Sequence, residues 1–267
     1  MDLLLPPQTH LDKLKVAARY ISLQRGLRSA AWSSFGWGLF TVLIGVLVRP
    51  ENWLDYIWLG IGAFLLVEGV LLFRSSSADP KLVLLESLAL LILGLWNTVG
   101  IFLIVRQGGR PAMGGHSFII GIAQLASAYA TFRSYPMHKR ICQHVENLFV
   151  QELEQMSTGL WKAKPVESPD IVEFLVGTFS SGNKKWKAKF LPEYVILASN
   201  KGRKFEVAGR PDVSIEPGSE KMFSKARKLT LKLGNETFKA EMTPDAFERW
   251  QAWLSLSRPA SAGAAAP

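Results

Sequence analysis

The residues best suited to binding chemistry are basic side chains clustered near position 187. The segment KKWKAKF places lysines at 184, 185, 187 and 189. If this segment is a β-strand, successive side chains point to opposite faces. Lys185, Lys187 and Lys189 then share one face, and the aromatic residues at 186 and 190 share the other. Two interpretations follow: either the lysines bind an anionic group, or they form the solvated face of a half-buried sheet.

A second basic cluster follows in the next predicted hairpin, and its members are Lys201, Arg203 and Lys204. These residues can join Lys184, Lys185, Lys187 and Lys189 in one anion-binding surface. Each lysine near an anionic leaflet contributes ~1 kcal/mol of attraction, which is most useful for a domain that is already tethered there.

Polar side chains also interrupt the apolar first half of the chain, at Glu68, Glu86, Asn97 and Gln124. Glu68 precedes Arg74 and Glu86 follows Lys81 by similar distances, which predicts a similar depth for the two carboxyl groups. A charge at the centre of a bilayer costs ~2.5–3.5 kcal/mol on insertion scales, so buried ionisable groups suggest an ion pathway. The structural alternative is hydrogen bonding between helices.

Other chemistry is poorly supported by the sequence. His138 and Cys142 are four residues apart, as in some metal sites, but Cys142 is the single cysteine and the remaining histidines are distant. No nucleophile–base pair, supported carboxylate pair or phosphate loop is apparent. We therefore predict no metal and no cofactor, and a non-enzymatic role is favoured while an enzyme is not excluded.

Four apolar runs are long enough, or nearly so, to cross a bilayer, which takes ~20 helical residues. They are 32–48, 53–73, 82–105 and 117–132. The net charge of +9 concentrates before the first run, in the second loop and after the last run. The positive-inside rule then predicts an integral protein of the cytoplasmic (inner) membrane with both termini in the cytoplasm, and it accounts for much of the basic excess without nucleic acid.

The four runs contain a repeated pattern. GLFTVLIGVLVR at 38–49 resembles GLWNTVGIFLIVR at 94–106, and the tripeptide Phe-Arg-Ser ends runs two and four. The nearly equal offsets predict two tandem helical hairpins. The first ten residues lack a basic segment and an adequate apolar core, so no cleavable signal peptide is expected.

Two further helices flank the predicted spans. Residues 9–30 form an amphipathic pattern that begins with Thr9 and Asp12 as a capping box, and we expect it to lie on the leaflet or beside the first span. Residues 137–162 predict a helical stalk that pairs with another chain or with the domain that follows.

Residues 170–258 predict seven short strands separated by Gly, Asn and Pro turns, followed by a helix that Thr243 caps. This order, with WKAKFLPEYVILAS, KFEVAG, KLTLKLGNETFKAEM and Trp250 in the last helix, resembles bacterial pleckstrin-homology-like (PH-like) and GRAM-type domains. The resemblance implies a seven-stranded barrel closed by a helix. It implies binding of phosphoinositides or of protein partners, with Lys187-Ala188-Lys189 as the counterpart of the basic motif in the first hairpin. A lysine at its last position loses bidentate phosphate binding.

The sequence thus predicts a membrane α plus β protein: a four-helix transmembrane bundle followed by a cytoplasmic PH-like domain. The predicted segments are an N-terminal helix (1–31), the spans (32–135), the stalk and linker (136–164), the PH-like domain (165–258) and a disordered tail (259–267). The predicted function is a membrane-tethered scaffold or adaptor that binds anionic lipid headgroups or a protein partner, with homo-oligomerisation left open. The alternative is a small transporter or channel-like protein that uses Glu68 and Glu86.

Overall fold

The computed structural model describes residues 8–48, 53–74, 79–106, 115–157, 160, 168–178, 182–199, 204–220, 226–234 and 236–256. The chain forms two compact units. We call Leu23–His144 the helical unit, and Met1–Ser22 together with Val145–Pro267 the sheet unit. Lys201, Arg203, residues 161–167 and the predicted tail lie outside the described residues.

The chain begins with a long helix, α1, over His10–Val48. Its start is the predicted capping box: the Asp12 backbone N–H donates to Thr9 Oγ1 at 3.1 Å, and that hydroxyl donates to Asp12 Oδ2 at 2.6 Å. Residues 10–22 of α1 belong to the sheet unit and the rest to the helical unit. The remaining helices of the helical unit are α2 (Trp53–Arg74), α3 (Pro80–Leu95), a π-helical turn (Trp96–Gly100), α4 (Ile101–Arg106) and α5 (Gly115–His144).

Three described helical segments are long and apolar enough to cross a membrane: His10–Leu47, Trp53–Arg74 and Pro80–Arg106. The predicted fourth span, 117–132, lies within α5 and is not among them. That stretch is shorter than the ~20 residues of a typical spanning helix, and it includes the polar residues Gln124, Ser127 and Thr131.

Close backbone approaches hold the helices of the helical unit together in pairs. A Cβ added at Gly38 of α1 would lie 2.7 Å from the Leu66 backbone nitrogen of α2. A Cβ at Gly94 of α3 would lie 2.7 Å from Leu125 Cγ of α5. Small residues permit such contact between apolar helices. The Ser87 hydroxyl also donates to the Ala128 carbonyl at 2.9 Å, which fixes α3 against α5.

The sheet unit contains the predicted seven strands, all antiparallel, in the order β4-β3-β2-β1-β7-β6-β5. They are β1 (Ile171–Thr178), β2 (Gly182–Phe190), β3 (Tyr194–Ser199), β4 (Lys204–Gly209), β5 (Val213–Glu220), β6 (Arg227–Leu233) and β7 (Glu236–Met242). The C-terminal helix α7 (Pro244–Ser255) follows, and its predicted cap is present: the Ala246 N–H donates to Thr243 Oγ1 at 3.3 Å.

The inner face of the sheet packs against α7. Trp250 is fully buried, and its ring meets Phe190 and Phe174 edge to face at centroid distances of 4.9 and 5.9 Å. The Trp253 Nε1–H donates to the Leu191 carbonyl at 2.6 Å. Each large apolar side chain buried in this way contributes roughly 1.5–3 kcal/mol, so α7 is an integral part of the core.

The outer face of β3 and β4 has a second apolar core. Its strand residues are Ile196, Ala198, Phe205 and Val207. They are covered by Leu14, Ala17, Ala18 and Ile21 of α1, and by Phe149 and Leu153 of α6 (Asn147–Ser157). The first twelve residues of α1 therefore cover the sheet, an arrangement that neither expectation for the N-terminal helix anticipated. The packing of α6 against the following domain is one of the two alternatives predicted for the stalk.

Candidate functional site

The strand register places the predicted lysines on the outer face of β2, as expected. Lys187 lies opposite Glu173 of β1 and Ala198 of β3, and Lys189 lies opposite Ile196. The intervening residues Trp186 and Ala188 are buried in the inner core. Because Ile196 and Ala198 lie under α1 and α6, the lysine face is not simply exposed to solvent.

Lys187 is enclosed within the fold. Its side chain is only 6% exposed, and its Nζ lies 3.1 Å from Glu173 Oε1. The second oxygen of Glu173 pairs with Lys185 Nζ. Burial raises the pKa of Glu173, but the hydrogen bonds and charges of Lys185 and Lys187 outweigh it, so the pKa lies below its ordinary value. Glu173 is therefore an ionised bridge between the two lysines.

Lys189 also has an internal partner. Its Nζ donates to the Met156 carbonyl at 3.1 Å, in the last turn of α6. A lysine at this position satisfies one of the unpaired carbonyls of the helix end and interacts favourably with the helix dipole. Lys187 and Lys189 thus connect the strand to neighbouring elements of the same unit.

The lysines near the strand ends are more exposed than Lys187 and Lys189. Lys184 and Lys204 are exposed, and the Lys185 side chain is 53% exposed despite its contact with Glu173. Lys184 and Lys185 lie just after the β1–β2 connection, and Lys204 lies just after the β3–β4 connection. Both connections are at the same end of the sheet, because β1 and β3 run in the same direction. We call Lys184, Lys185 and Lys204 the turn-end lysines. Lys201 and Arg203, which lie between β3 and β4 in the sequence, are outside the described residues.

A charged cleft of about 320 Å³ lies elsewhere in the sheet unit, beside the edge strand β4. Lys15 and Arg19 of α1 line it together with Glu206, Asp212 and Glu236. Lys15 Nζ lies 2.9 Å from Asp212 Oδ2, and Arg19 Nη2 lies 3.9 Å from Glu236 Oε1. Burial raises the pKa of Glu206 to about 7; the charge of Glu236 adds to this effect, while Arg19 and Lys204 oppose it.

Neither Glu206 nor Glu173 was predicted from the sequence as a functional residue. In KFEVAG, the alternation of Phe205 and Val207 with Glu206 predicts that the carboxyl group faces solvent. The apolar pair instead faces the cover formed by α1 and α6, which turns Glu206 to the opposite face. Glu173 could have been predicted as a partner of the lysines, because it is an acidic residue in β1, the strand before them in the sequence.

The polar residues of the helical unit form two arrangements. Asn97 Nδ2 donates to Gln124 Oε1 at 2.8 Å, which joins the π-helical turn to α5 as predicted for helix-linking side chains. Glu68 and Glu86 line one cavity of about 140 Å³, together with Ser34 and Gln124. Within the described ranges, no group of three or more His, Cys, Asp or Glu side chains is placed to hold a metal ion.

Two observations define the fold of the sheet unit: the order of its strands, and the packing of α7 on its inner core. The sheet unit has a PH-like fold. Its first four strands form one meander, β1 pairs with β7, and α7 packs on the inner face through Trp250. A fold of this kind does not define a function by itself, so the function has to be argued from the surface residues.

No family model matches the chain, and no curated protein matches it. Solved structures that resemble it include the PDZ-RhoGEF DH/PH domains in complex with GTPγS-activated RhoA, at 10% identity and a TM-score of 0.27, covering 93% of this chain and 94% of that chain. A mutant of the p115-RhoGEF DH/PH domains has 10% identity and a TM-score of 0.24, with coverage of 92% and 98%. Vav1 with an allosteric inhibitor has 10% identity and a TM-score of 0.26, with coverage of 94% and 56%. Likeness at this level carries no inference about function.

Proposed function

We propose that this chain is a membrane-anchored binding protein whose PH-like unit binds anionic phospholipid headgroups through the turn-end lysines. The observation that supports the proposal is the division among the lysines of β2 and β4. Lys187 and Lys189 have partners within the fold, whereas Lys184 and Lys204 are exposed at one end of the sheet. Lys185 pairs with Glu173 at the same end, and its side chain is still 53% exposed. Lys201 and Arg203 add charge to the same turn in the sequence.

Weak binding is sufficient for such a protein because its membrane helices hold the PH-like unit near a leaflet. Tethering converts the second contact into an intramolecular one at high effective concentration. Three lysines at ~1 kcal/mol each give a free domain only weak affinity for an anionic surface, but they can fix the position of a tethered one. No catalytic group is needed for this role.

The proposal includes four spans, with the central part of α5 as the fourth, and both termini on the cytoplasmic side of the inner membrane. Support comes from the close packing of α5 on α3 at Gly94 and from exposed apolar side chains on α5, among them Ile119, Ile122 and Phe132. An even number of spans leaves the basic segments that flank them on one side, as the positive-inside rule favours.

The test uses the full chain embedded in nanodiscs of neutral lipid, mixed with sucrose-loaded vesicles that are either neutral or contain anionic phospholipid. The variant Lys184→Ala/Lys204→Ala removes two turn-end charges, and Lys228→Ala/Lys232→Ala removes two charges from β6 as a matched control. At ~1 kcal/mol per lysine, we expect the first pair to weaken co-sedimentation with anionic vesicles roughly 10- to 30-fold and the control pair to have little effect.

Equal losses in the two double variants, or equal binding to neutral and anionic vesicles, would contradict the proposal. Absence of vesicle binding by the wild-type chain would direct the search to a protein partner instead. Glu68→Gln and Glu86→Gln should leave co-sedimentation unchanged, which separates lipid binding from the alternative function in ion transport.

A further inference from the structure

The helical unit contains a cavity to which four helices contribute, and its largely apolar wall carries several polar side chains. Its volume is about 140 Å³, and its wall includes Ser34 of α1, Glu68 of α2, Glu86 of α3 and Gln124 of α5. Ser33 and Trp37 of α1 also line it. The hydrogen bond from Asn97 holds the Gln124 amide at the wall. The cavity is therefore assembled from side chains that are far apart in the sequence.

Glu68 is the ionisable group in this cavity whose burial is not matched by hydrogen bonds. The residue is 0% exposed, and both carboxylate oxygens are buried without a hydrogen bond of normal geometry from any described residue. The Ser34 side chain is near enough to interact with the carboxyl group. An ionised carboxylate in this position lacks the partners that normally offset its desolvation.

Neutralisation of Glu68 has to come from a mobile positive charge. The other ionisable residue lining the cavity is Glu86, which is also acidic, and none of the described residues lining it is Lys or Arg. Two carboxylates close together repel each other, so at least one must bind a proton or share a cation. Carboxylate, hydroxyl and amide oxygens are the ligands that hard cations prefer.

We propose that Glu68 and Glu86 form a binding site for one small monovalent cation, a proton or an ion of the size of Na⁺. The cavity has space for only a few water-sized groups, since a water molecule occupies about 30 Å³ in the liquid. Glu68 lies roughly 9 Å along α2 from Arg74, and Glu86 roughly 8 Å along α3 from Lys81, at 1.5 Å per residue. Both carboxyl groups are thus one to two turns from a helix end, where exchange with solution is feasible.

The test is chemical labelling of the full chain in neutral-lipid nanodiscs with dicyclohexylcarbodiimide, which reacts with protonated carboxyl groups in apolar surroundings. Modification of Glu68 is quantified by peptide mass spectrometry. We expect labelling of Glu68 that decreases as the pH is raised, because only the protonated carboxyl group reacts. If Na⁺ is also a ligand, NaCl will protect Glu68 at constant pH, whereas choline chloride at the same ionic strength will not.

Variants distinguish an exchange site from a merely buried acid. Ser34→Ala removes an oxygen ligand, and Glu86→Gln replaces a carboxylate by a neutral amide; each change should weaken Na⁺ protection about tenfold or more. Ser127→Ala is the matched control, because Ser127 donates to the Ala123 carbonyl on α5 and does not line the cavity. A pH response without Na⁺ protection assigns the site to the proton. Labelling that ignores both pH and Na⁺, or no labelling of Glu68 at any pH, overturns the proposal, and neither result bears on lipid binding by the sheet unit.

Discussion

Lys187 and Glu173 face each other across β2 and β1, with Lys187 Nζ 3.1 Å from Glu173 Oε1. The pair lies on a face of the sheet that α1 and α6 partly cover, and Lys185 occupies the other oxygen of the carboxylate. The Lys187 side chain is therefore engaged within the sheet unit and is only 6% exposed. The segment Lys187-Ala188-Lys189 was the predicted counterpart of the basic PH motif. Both of its lysines have partners within the sheet unit, so neither side chain extends freely from the surface.

The first prediction concerns the loss of this carboxylate. Glu173→Gln removes the carboxylate that pairs with the buried ammonium of Lys187 and should destabilise the sheet unit by about 1–3 kcal/mol. Lys187→Met should cost less, because it replaces the ammonium with an apolar group of similar length and leaves Glu173 paired with Lys185. Hydrogen exchange of the β1 and β2 amides in the full chain measures both effects locally.

The pH dependence of the same variant follows from the direction of the Glu173 shift. Its folded pKa is lowered from 4.5, so the stabilisation is present above pH 4.5 and is lost as the pH falls through the folded pKa. The difference in protection between wild type and Glu173→Gln should thus be constant near neutrality and shrink below about pH 4.5. A difference that persists unchanged in acid would indicate that packing, and not charge, is responsible.

The second prediction concerns the N-terminal helix. Ile21 is fully buried among Ile196, Phe205 and other residues of the outer core, and Ser22 Oγ accepts the Phe205 N–H at 2.8 Å on the edge strand. Ile21→Ala should therefore destabilise β3 and β4 by roughly 2–5 kcal/mol, as for other large-to-small core changes. Leu256→Ala is the control, since that leucine is 53% exposed in the same unit.

Exchange rates of the β3 and β4 amides again measure the effect. A related expectation is that a fragment covering 165–258 will aggregate, because it lacks both helices that cover the outer apolar face. Addition of a fused segment containing residues 8–24 and 145–157 should restore a soluble monomer. Equal protection in Ile21→Ala and Leu256→Ala would show that α1 contributes little to the unit.

Local periodicity was sufficient to predict the seven strands, the C-terminal helix and its Thr243 cap. The pattern of Trp186, Ala188 and Phe190 correctly placed those side chains on the inner face. The role of residues 10–22 was not predictable in the same way, because an amphipathic helix specifies an apolar face without specifying its partner. That partner, β3 and β4, begins more than 170 residues later in the chain, and an apolar residue in β4 can belong to either face.

The candidate site was predictable only in part for a related reason. Residue type and alternation identified the lysines, but exposure depends on neighbours from other elements: Glu173 across the ladder for Lys187, and the end of α6 for Lys189. The Asn97–Gln124 bond agreed with the expectation of helix-linking polar groups. The charged cleft was missed because the orientation of Glu206 follows from the outer core and not from the sequence of β4.

The third prediction uses that inverted orientation. The folded pKa of Glu206 is raised from 4.5 to about 7, with burial as the main cause and Glu236 as an additional one. A carboxyl group whose folded pKa is raised favours folding fully below its unfolded pKa, and this contribution is lost as the pH rises through the folded pKa. Glu206→Gln, which stays neutral, should therefore stabilise the sheet unit at about pH 8 by roughly 2–3 kcal/mol. The gain should decline through the window between pH 7 and pH 4.5 and vanish below it.

Glu216→Gln is the control, because Glu216 is exposed on β5 and pairs with Lys232. Hydrogen exchange of the β4 amides at several pH values provides the measurement, after correction for the intrinsic pH dependence of exchange. If Glu206→Gln destabilises β4 at pH 8, the carboxylate must be ionised and held by Arg19, and the cleft would then be a closed ion-pair network.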